Sequence, residues 1–415
     1  MVGNFKRFDF GKKPKRQSIF LRPVMWLACA FFWMKKHPKI DKSGMPKNKN
    51  KIKPPYFILC NHNAFLDFIV LSKAIFPRRA NYVVAIDGFL IGEWLLRAIG
   101  CVGVRKFTRG VSIVKNMLKA KDNGDIVALW PEARYSLCGT QSAVPNSLAK
   151  IIRKMNVPVV LFMCHGHHVN SPFWHVGDRG VAPVKSEMFQ LFSQEETQTL
   201  SAEEIMARIR EKLVYDDFRW QKEHGIKIKG KKRAEGLHSV LYQCPHCNTE
   251  YKMSSSGIHL KCGSCGKTWE MTELGELKAL SGETEFSHIP DWYEWERANV
   301  RSEIENRTYR FESEVRIESL PAPRWHKLGK GRLIHDMDGF VLTGTYKKEP
   351  FEVKWNVPSL YSCHIEYNYK GRGDCVDLST LEDSFYTYPL CDEFSVTKLS
   401  LATEELYRHK TGRVG

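Results

Sequence analysis

The chain has 415 residues, too long for one ordinary domain, and its hydrophobic content of 43% is sufficient for two to four real cores. Its formal net charge is +17, and residues 1–53 hold fifteen Lys and Arg against two Asp, so the rest of the chain is only mildly basic. The basic end should therefore contact a polyanion, either nucleic acid or an anionic membrane surface. Four of the twelve cysteines are clustered and the others are scattered, which excludes a disulfide scaffold and favours a reducing compartment.

The basic end contains an apolar, aromatic stretch, SIFLRPVMWLACAFFWMKK, at residues 18–36. Its uninterrupted apolar run, Pro23 to Met34, has twelve residues, whereas a membrane-spanning helix needs about 20. We therefore predict that residues 1–54 form a basic and apolar arm on an anionic membrane surface, with the protein peripheral or monotopic on the cytoplasmic face. A signal peptide, a spanning segment and a buried core helix are the alternatives for this stretch, and nucleic acid is the less favoured partner.

Residues 55–223 alternate between short apolar runs and stretches with helical periodicity. The strand-type runs are YFILC (56–60), YVVAI (82–86), IVALW (126–130) and VPVVLFM (157–163). Continuous apolar strands separated by helices predict an α/β domain with a largely parallel, buried sheet. A capping box of Ser201 and Glu204 predicts a helix that begins there and continues through AEEIMARIREKLVYDDF (202–218).

A polar pair, Asn61 and His62, follows the first of these strands, and Asp67 comes five residues after the histidine. The carboxyl ends of parallel strands are where open α/β sheets place their sites. Asp67, in the first turn of the next helix, can accept the Nδ1 proton of His62, which leaves Nε2 to act as a base. A hydrogen-bonded core histidine is the alternative interpretation.

Charged residues also follow the later strands, with Arg105 and Lys106 in GCVGVRK (100–106) and Glu132 in WPEARYS (130–136). With NHNAFLD (61–67) and VPVV (157–160), residues 55–220 resemble the glycerolipid acyltransferases related to lysophosphatidic acid acyltransferase. The pattern of that family is NHx4D, a Gly-to-Arg block, FPEGTRS and a Val-Pro block, and all four blocks occur here in that order. The resemblance covers about 40% of the 415-residue chain.

The resemblance implies an O-acyltransferase that moves a fatty acyl group from an acyl thioester to the hydroxyl of a lysophospholipid. The donor would be acyl-coenzyme A or acyl carrier protein, and the acceptor it favours is 1-acyl-glycerol-3-phosphate, which would give phosphatidic acid. His62 would be the general base, and Asp67 would stabilise its imidazolium. Backbone donors near the 61–65 turn would bind the oxyanion. Another lysophospholipid is the alternative acceptor.

The implied substrate-binding residues are Asn61, Arg105, Lys106, Glu132 and Arg134. Arg105 and Lys106 are rivals for the acceptor phosphate. Glu132 would orient the acceptor glycerol or a binding loop. The third block departs from the family because Glu132 is present but the following Gly-Thr-Arg is not, and an arginine occurs one position early as Arg134. That departure leaves the implied phosphate contact of the third block open.

A histidine-rich segment, CHGHHVNSPFWH (164–175), follows the fourth block. Four histidines in so short a stretch suggest a metal site, but no accompanying carboxylate pattern supports one. A loop that lines the acceptor cleft is the favoured interpretation.

A basic linker, GIKIKGKKR, lies within residues 224–240, and two CxxC pairs follow within residues 241–272. This spacing is typical of a zinc ribbon, in which four thiolates hold one tetrahedral Zn²⁺. Such a site is saturated, so the zinc would be structural, and it would stabilise a segment too short to build an apolar core. The predicted ligands are Cys244, Cys247, Cys262 and Cys265.

Residues 285–415 show alternating strands with Gly-bearing turns and end in the helical stretch SVTKLSLATEELYRHK. This pattern predicts a mainly antiparallel β domain with a terminal helix, which resembles a pleckstrin-homology or GRAM-type barrel. A non-catalytic membrane or nucleic-acid adaptor that uses the ribbon, the basic arm and this domain is the alternative function. The departure in the third block supports that alternative, and the intact His62 and Asp67 oppose it.

Overall fold

The structure is a computed structural model that describes residues 2–47, 51–181 and 183–413. Its first unit is an α/β domain preceded by one amino-terminal helix. The strands are β1 (Lys39–Asp41), β2 (Phe57–Cys60), β3 (Ala80–Ala85), β4 (Cys101–Val104), β5 (Ile126–Leu129), β6 (Val159–His165) and β7 (Lys185–Phe192). The helices are α1 (Leu21–Lys36), α2 (Leu66–Ile75), α3 (Glu93–Ala98), α4 (Val111–Asp122), α5 (Ser147–Met155), α6 (His167–Asn170), α7 (Glu196–Thr199), α8 (Ala202–Lys212) and α9 (Asp217–Glu223).

The predicted parallel sheet is confirmed. Its strand order is β1-β7-β6-β2-β5-β3-β4, and the five strands from β6 to β4 are mutually parallel. Strand β7 is antiparallel to β6 and brings β1 to the edge. Helices cover both faces of the sheet, so every residue of β2 is buried. Burial on both faces explains why the strands are continuously apolar in sequence.

The predicted helix after Ser201 is shorter than its periodicity suggested. The capping box of Ser201 and Glu204 is present, but α8 ends at Lys212. The side chain of Asp216 accepts a hydrogen bond from the backbone of Arg219 and begins α9 as a new cap. The break between the two helices places Tyr215 in the interior, where its hydroxyl reaches Glu132.

The amino-terminal segment lies against the protein in two different ways. Residues 2–17 have no helix or strand, and Phe8 is buried in contact with the ring of Phe89. Helix α1 packs on α2 through Cys29 and Trp33, and the Trp33 indole donates to the carbonyl of Ile69. None of the described helices combines the length and the apolar character needed to cross a membrane.

The cysteine-rich segment forms a small sheet of four antiparallel strands. They are β8 (Met253–Ser256), β9 (His259–Cys262), β10 (Thr268–Met271) and β11 (Leu277–Ala279), in the order β11-β10-β9-β8. The preceding segment, predicted as a basic linker, is packed, because Ile228, Ala234 and Leu237 are fully buried. The lysines of the linker are exposed, whereas Arg233 is buried and donates to the carbonyl of Met271, and the apolar residues of the linker join the core of the small sheet.

The carboxyl-terminal domain begins with a helix that the sequence analysis did not identify. Helix α10 (Ile289–Glu305) buries Ile289, Trp292, Glu296, Val300 and Ile304, a spacing of three to four residues that was visible in the sequence. The strands that follow are β12 (Phe311–Ala322), β13 (Arg324–Asp336), β14 (Gly339–Tyr346), β15 (Glu349–Asn356), β16 (His364–Glu366), β17 (Cys375–Ser379) and β18 (Ser384–Pro389). Helix α11 (Val396–Thr411) closes the described chain.

The seven carboxyl-terminal strands form one antiparallel sheet in the order β15-β14-β13-β12-β18-β17-β16. This separate all-antiparallel region agrees with the mainly-β domain expected from the sequence. Its core is continuous with that of the ribbon, because Trp269 of β10 packs edge-on against Trp292 of α10 at 5.0 Å between ring centroids. The ribbon and the β domain are therefore mechanically coupled.

Candidate active site

Four strands of the parallel sheet end at one edge, and each carries polar residues there. Asn61 and His62 follow β2, Arg105 and Lys106 follow β4, and the segment with Glu132 and Arg134 follows β5. Strand β6 adds a histidine pair, His167 and His168. Parallel strands direct all of these segments to the same edge, as expected from the sequence.

Asn61 fixes the geometry of this edge. Its amide nitrogen donates to the carbonyl of Cys164 at 2.9 Å, and its amide oxygen accepts from the Cys164 backbone N–H at 2.8 Å. These two bonds tie the end of β2 to the end of β6. Both functional atoms of the amide are used and the side chain is fully buried, so the structure gives Asn61 this scaffolding position instead of the predicted contact with substrate.

His62 and Asp67 meet as the sequence predicted. The Nδ1 of His62 lies 3.3 Å from Oδ2 of Asp67, and the histidine side chain is 22% exposed while the aspartate is fully buried. The same Oδ2 accepts the backbone N–H groups of Asn63 at 2.6 Å and Ala64 at 3.0 Å. The carboxylate is thus held by the turn that precedes its own helix.

Those contacts correct one sequence-based expectation. The backbone donors of the 61–65 turn were expected to bind an oxyanion, but three of them already have carboxylate partners. His62 N–H donates to Oε1 of Glu132 at 3.0 Å, and the N–H groups of Asn63 and Ala64 donate to Asp67. These three donors therefore shape the turn and are not available to a substrate.

A second histidine, which the sequence analysis did not single out, shares the aspartate. The Nδ1 of His167 lies 2.7 Å from Oδ1 of Asp67, and His167 is fully buried. Burial alone would raise the pKa of Asp67, but the bonds from His167 and His62 hold that pKa below its ordinary value. Asp67 is therefore a carboxylate that is hydrogen-bonded to two imidazoles, and of these only the imidazole of His62 lines the cleft.

The imidazole of His62 is confined between aromatic rings. Its ring centroid lies 4.4 Å from that of Tyr135 and 5.5 Å from that of Trp130. Burial lowers the pKa of His62, and the neighbouring Asp67 opposes that shift. The histidine is therefore neutral near pH 7, which is the state that a general base requires.

Glu132 holds two loops together below the histidine. Its Oε1 accepts from the backbone of His62, and its Oε2 accepts from the backbone of Ser142 at 2.7 Å and from the hydroxyl of Tyr215 at 3.1 Å. Burial raises the pKa of Glu132 to about 8, although these hydrogen bonds counteract the shift. The side chain is fully buried and holds the two loops in place. This agrees with the second of its two predicted roles, which was to orient a binding loop.

Replacing Glu132 should loosen both loops. We expect Glu132→Ala to lower the free energy of unfolding by about 1–3 kcal/mol for each buried donor left without a partner. Chemical denaturation of the variant and of the control Glu195→Ala, an exposed position, measures this difference. Equal stability of Glu132→Ala and wild type would contradict the supporting role.

The three predicted phosphate-binding cations all have partners in the protein. Arg105 donates to Leu320 O at 3.0 Å, to Pro321 O at 2.7 Å, to Glu382 O at 2.7 Å and to Ser384 Oγ at 2.9 Å. Lys106 forms an ion pair with Asp87 at 2.8 Å. Arg134 pairs with Glu404 of α11 at 2.6 Å. Arg105 and Arg134 thus anchor the carboxyl-terminal domain on the active-site edge.

The unusual third block has a local explanation. Ala133 has a φ of +57°, a left-handed conformation that favours the glycine found at this position in the family pattern. Tyr135 occupies the position of the arginine in FPEGTRS, and it faces the cleft beside His62. Arg134, one position earlier, points to α11. The side chain beside His62 here is therefore aromatic, and Arg134 contributes to the cavity wall while its guanidinium pairs with Glu404.

The histidine-rich segment separates into residues with different surroundings. His167 and His168 are buried, and burial lowers the pKa of His168 to about 3. Asp67, Cys164 and His167 bring three possible ligand atoms within 4.8 Å of one another, but His167 and Asp67 already contact directly. Phe173 lines the cleft. The segment thus contributes Phe173 to the cleft wall. The buried His167 is accounted for by its direct hydrogen bond with Asp67.

A cavity of about 1590 Å³ opens at His62 and extends through the α/β domain. Its wall is mainly apolar along α4, β5 and α5, where Val114, Met117, Leu118, Leu129 and Ile151 contribute. Tyr361, His364, Glu366 and Tyr407 of the carboxyl-terminal domain also line it. The histidine therefore lies at the polar end of a space large enough for an aliphatic chain.

The four predicted metal ligands converge in the ribbon. The Sγ atoms of Cys244 and Cys265 are 3.8 Å apart, as are those of Cys247 and Cys262. A tetrahedral site with a Zn–S distance of about 2.3 Å requires a sulfur separation of about 3.8 Å. All four sulfur atoms lie within 4.8 Å of one another, so this cluster fits a metal ion.

The two CxxC turns also have the same backbone geometry. The N–H of Asn248 donates to Cys244 O and the N–H of Gly266 donates to Cys262 O. Both of these residues have left-handed backbone, with φ of +60° and +78°. His246 is turned toward Glu285, with 3.2 Å between its Nδ1 and the carboxylate. The repeated turn leaves four cysteines, and not the histidine, as the ligand set.

Comparison with known proteins adds to these observations. Residues 39–164 match the family model described as Acyltransferase. Among curated proteins no match was found. Among solved structures, the chain is similar to the crystal structure of the 1-acyl-sn-glycerophosphate (LPA) acyltransferase PlsC from Thermotoga maritima, at 15% identity and a TM-score of 0.38, over 47% of this chain and 77% of that chain. The residues that match the Acyltransferase model include His62 and Asp67, so this part of the chain is similar to that family.

Proposed function

We propose that the protein transfers a fatty acyl group from an acyl thioester to the hydroxyl of a lysophospholipid. The observation that carries the proposal is the His62–Asp67 pair beside a largely apolar cavity of about 1590 Å³. An aliphatic chain bound in that cavity would have its reactive end beside the imidazole. The donor would be acyl-coenzyme A or acyl carrier protein. The sequence resemblance favours 1-acyl-glycerol-3-phosphate as the acceptor and phosphatidic acid as the product.

The proposed reaction begins with proton transfer. His62 Nε2 takes the proton of the acceptor hydroxyl as the oxygen attacks the thioester carbonyl, and Asp67 stabilises the imidazolium that forms. The carbon–sulfur bond then breaks, and the imidazolium of His62 gives its proton to the departing thiolate, which restores the neutral base. His167 keeps Asp67 oriented and ionised through the second carboxylate oxygen. The products are an ester and a free thiol.

An acyltransferase assay tests this proposal directly. Purified protein is incubated with palmitoyl-coenzyme A and a panel of lysophospholipids that includes lysophosphatidic acid, and both thiol release and the diacyl product are measured. We expect acceptor-dependent thiol release that disappears in His62→Ala. Release that does not depend on any acceptor, or that persists in the variant, would contradict the proposed function.

We also propose that the cysteine cluster holds one structural Zn²⁺. Cys244, Cys247, Cys262 and Cys265 would be the ligands, and their sulfur separations support a tetrahedral ion. When bound, the metal would supply folding free energy and no chemistry at His62. The four thiolates would fill its coordination, so no position remains for a substrate.

The carboxyl-terminal domain is proposed to be a pleckstrin-homology-like module. Numbered within the domain, its strands follow the order 4-3-2-1-7-6-5, and α11 packs on α10 and the sheet end. Arg105 and Arg134 attach this domain to the active-site edge. The attachment supports a role in covering the cleft, in addition to any ligand of its own.

We propose that α1 binds the surface of an anionic membrane at the cytoplasmic face. Its outward residues and the N-cap residue before it are apolar, with Phe20 81%, Leu27 64%, Phe31 64% and Met34 65% exposed. Removing apolar surface of this kind from water contributes a favourable free energy of about 25 cal/mol per Å². Several cations of residues 2–17 are paired within the protein, Arg16 with Asp125 for example, so the apolar face should contribute more than the charge.

Changing four outward residues of α1 to serine should therefore abolish membrane binding. We expect that the fourfold substitution by Ser prevents flotation with vesicles that contain anionic lipid. The substituted residues are Phe20, Leu27, Phe31 and Met34. The matched control replaces Val176 and Leu280, exposed apolar residues elsewhere, and should float like wild type. Flotation of the α1 variant at the wild-type level would move the membrane contact to another surface, first of all the carboxyl-terminal domain.

A further inference from the structure

An acidic group of side chains surrounds Lys106, one of the cations that line the cleft. Lys106 Nζ lies 2.8 Å from Oδ2 of Asp87 and 3.6 Å from Oδ2 of Asp377. Glu366, on β16, adds a third carboxylate, and both it and Asp87 line the cavity. Burial would lower the pKa of Lys106, but the three carboxylates raise it, so the lysine stays charged and neutralised. The local excess of charge is negative.

Two of the arginines that line the cavity, Arg105 and Arg134, do not reverse this excess, and a third, Arg109, donates to the carbonyl of Pro358 at 2.9 Å. Arg105 is 2% exposed and gives its terminal nitrogens to carbonyls and a hydroxyl of the carboxyl-terminal domain. Arg134 is 4% exposed and is paired with Glu404. A phosphate monoester placed beside His62 would therefore find no unopposed cation among Lys106, Arg105 and Arg134, and it would face carboxylates.

Aromatic side chains line the cleft near the carboxylates. Tyr135 lies beside His62, its ring centroid is 5.8 Å from that of Phe173, and the ring of Phe173 is 6.0 Å from that of His364. All of them line the cavity. Aromatic faces combined with carboxylates are the surroundings that attract an ammonium group.

One ring nitrogen of a buried histidine in this wall, His364, has no hydrogen-bond partner among the described residues. His364 is 4% exposed, and its Nε2 lies 3.0 Å from Oε1 of Glu366. A carboxylate accepts, so Nε2 carries a proton, and in the tautomer protonated at Nε2 the other nitrogen, Nδ1, presents a lone pair. Nδ1 is buried and has no partner among the described residues. An N–H donor of a ligand would satisfy it.

We propose that the acceptor carries a primary ammonium head group, as in an ethanolamine lysophospholipid, and that Asp87, Glu366, His364 and the aromatic wall recognise it. This inference rests on the proposed acyl transfer and specifies its acceptor. The ammonium group would be bound by the carboxylates, donate a hydrogen bond to His364 Nδ1 and lie against Tyr135 and Phe173. The dianionic phosphate of lysophosphatidic acid makes it a poor acceptor.

Head-group binding tests the inference without requiring turnover. Titration calorimetry with the soluble probes glycerophosphoethanolamine and glycerol 3-phosphate should show that the ammonium probe binds at least about tenfold more tightly. Glu366→Gln should weaken binding of that probe by about tenfold, because a charge-assisted contact is lost. The control Glu352→Gln, at an exposed position on β15, should leave its binding unchanged. Equal or tighter binding of glycerol 3-phosphate, or no effect of Glu366→Gln, would overturn the inference.

Turnover measurements separate this inference from the function on which it rests. With palmitoyl-coenzyme A, the ethanolamine lysolipid should give a kcat/KM at least about tenfold higher than lysophosphatidic acid, and Glu366→Gln should reduce that ratio. A preference for lysophosphatidic acid would overturn the inference and leave acyl transfer intact. Tight binding of the ammonium probe without thioester cleavage with any acceptor would support the head-group site and refute the proposed reaction.

Discussion

His62→Ala should reduce acyl transfer by about 10²–10⁴-fold or more, because it removes the general base while the surrounding turn is still held by Asp67 and Glu132. The measurement is kcat with a soluble short-chain acceptor, accompanied by a thermal unfolding curve. His409→Ala, at an exposed position near the end of α11, is the control and should be fully active. Wild-type rates in folded His62→Ala would end the catalytic interpretation.

The pH dependence gives a second readout of the same pair. Burial lowers the pKa of His62, so the acidic limb of the kcat/KM profile should lie below the ordinary histidine value of about 6.5. The charge of Asp67 favours the imidazolium and opposes this shift. Asp67→Asn should therefore reduce kcat and also move the acidic limb to still lower pH. A limb that moves to higher pH in this variant would show that Asp67 does not act on His62 through its charge.

Removing the metal should have the largest effect on stability. Structural Zn²⁺ contributes an apparent free energy of about 10–16 kcal/mol in small domains, so Cys262→Ser should unfold residues 241–272. Because Trp269 packs on Trp292 and Gln243 donates from its backbone to Glu296, the loss should spread to α10. It should then weaken the contact of α11 with the active-site edge.

Metal analysis and limited proteolysis measure these effects. Protein purified without chelator should contain one zinc per chain, and Cys262→Ser should contain none and be cleaved within the ribbon and near α10. Cys391→Ser, a cysteine outside the cluster, is the matched control and should retain both zinc and protease resistance. Wild-type protein that contains no zinc under reducing conditions would contradict the metal assignment.

Short-range sequence patterns determined much of the site and its scaffold. Strands β2, β3, β5 and β6 of the α/β domain were visible because buried parallel strands are continuously apolar, whereas the edge pair β1 and β7 was not predicted. The pair of His62 and Asp67 was visible because five residues connect a strand end to the first turn of the next helix. The cysteine cluster was visible because two CxxC turns impose their own geometry on four sulfur atoms. In each case the interacting groups are close along the chain or repeat a fixed local geometry.

Only the tertiary structure decided which long-range partners these residues have. His167 reaches Asp67 across 100 residues of sequence, and Arg105 reaches Ser384 across 279. The sequence shows that an arginine follows a strand, but not whether a distant domain uses its donors or leaves them to a ligand. The burial of these side chains and the identity of their partners depend on the contact between two domains. No local sequence pattern specifies that contact. The same physical reason explains why the acidic and aromatic surroundings of the cleft, built jointly by the two domains, emerged only from the fold.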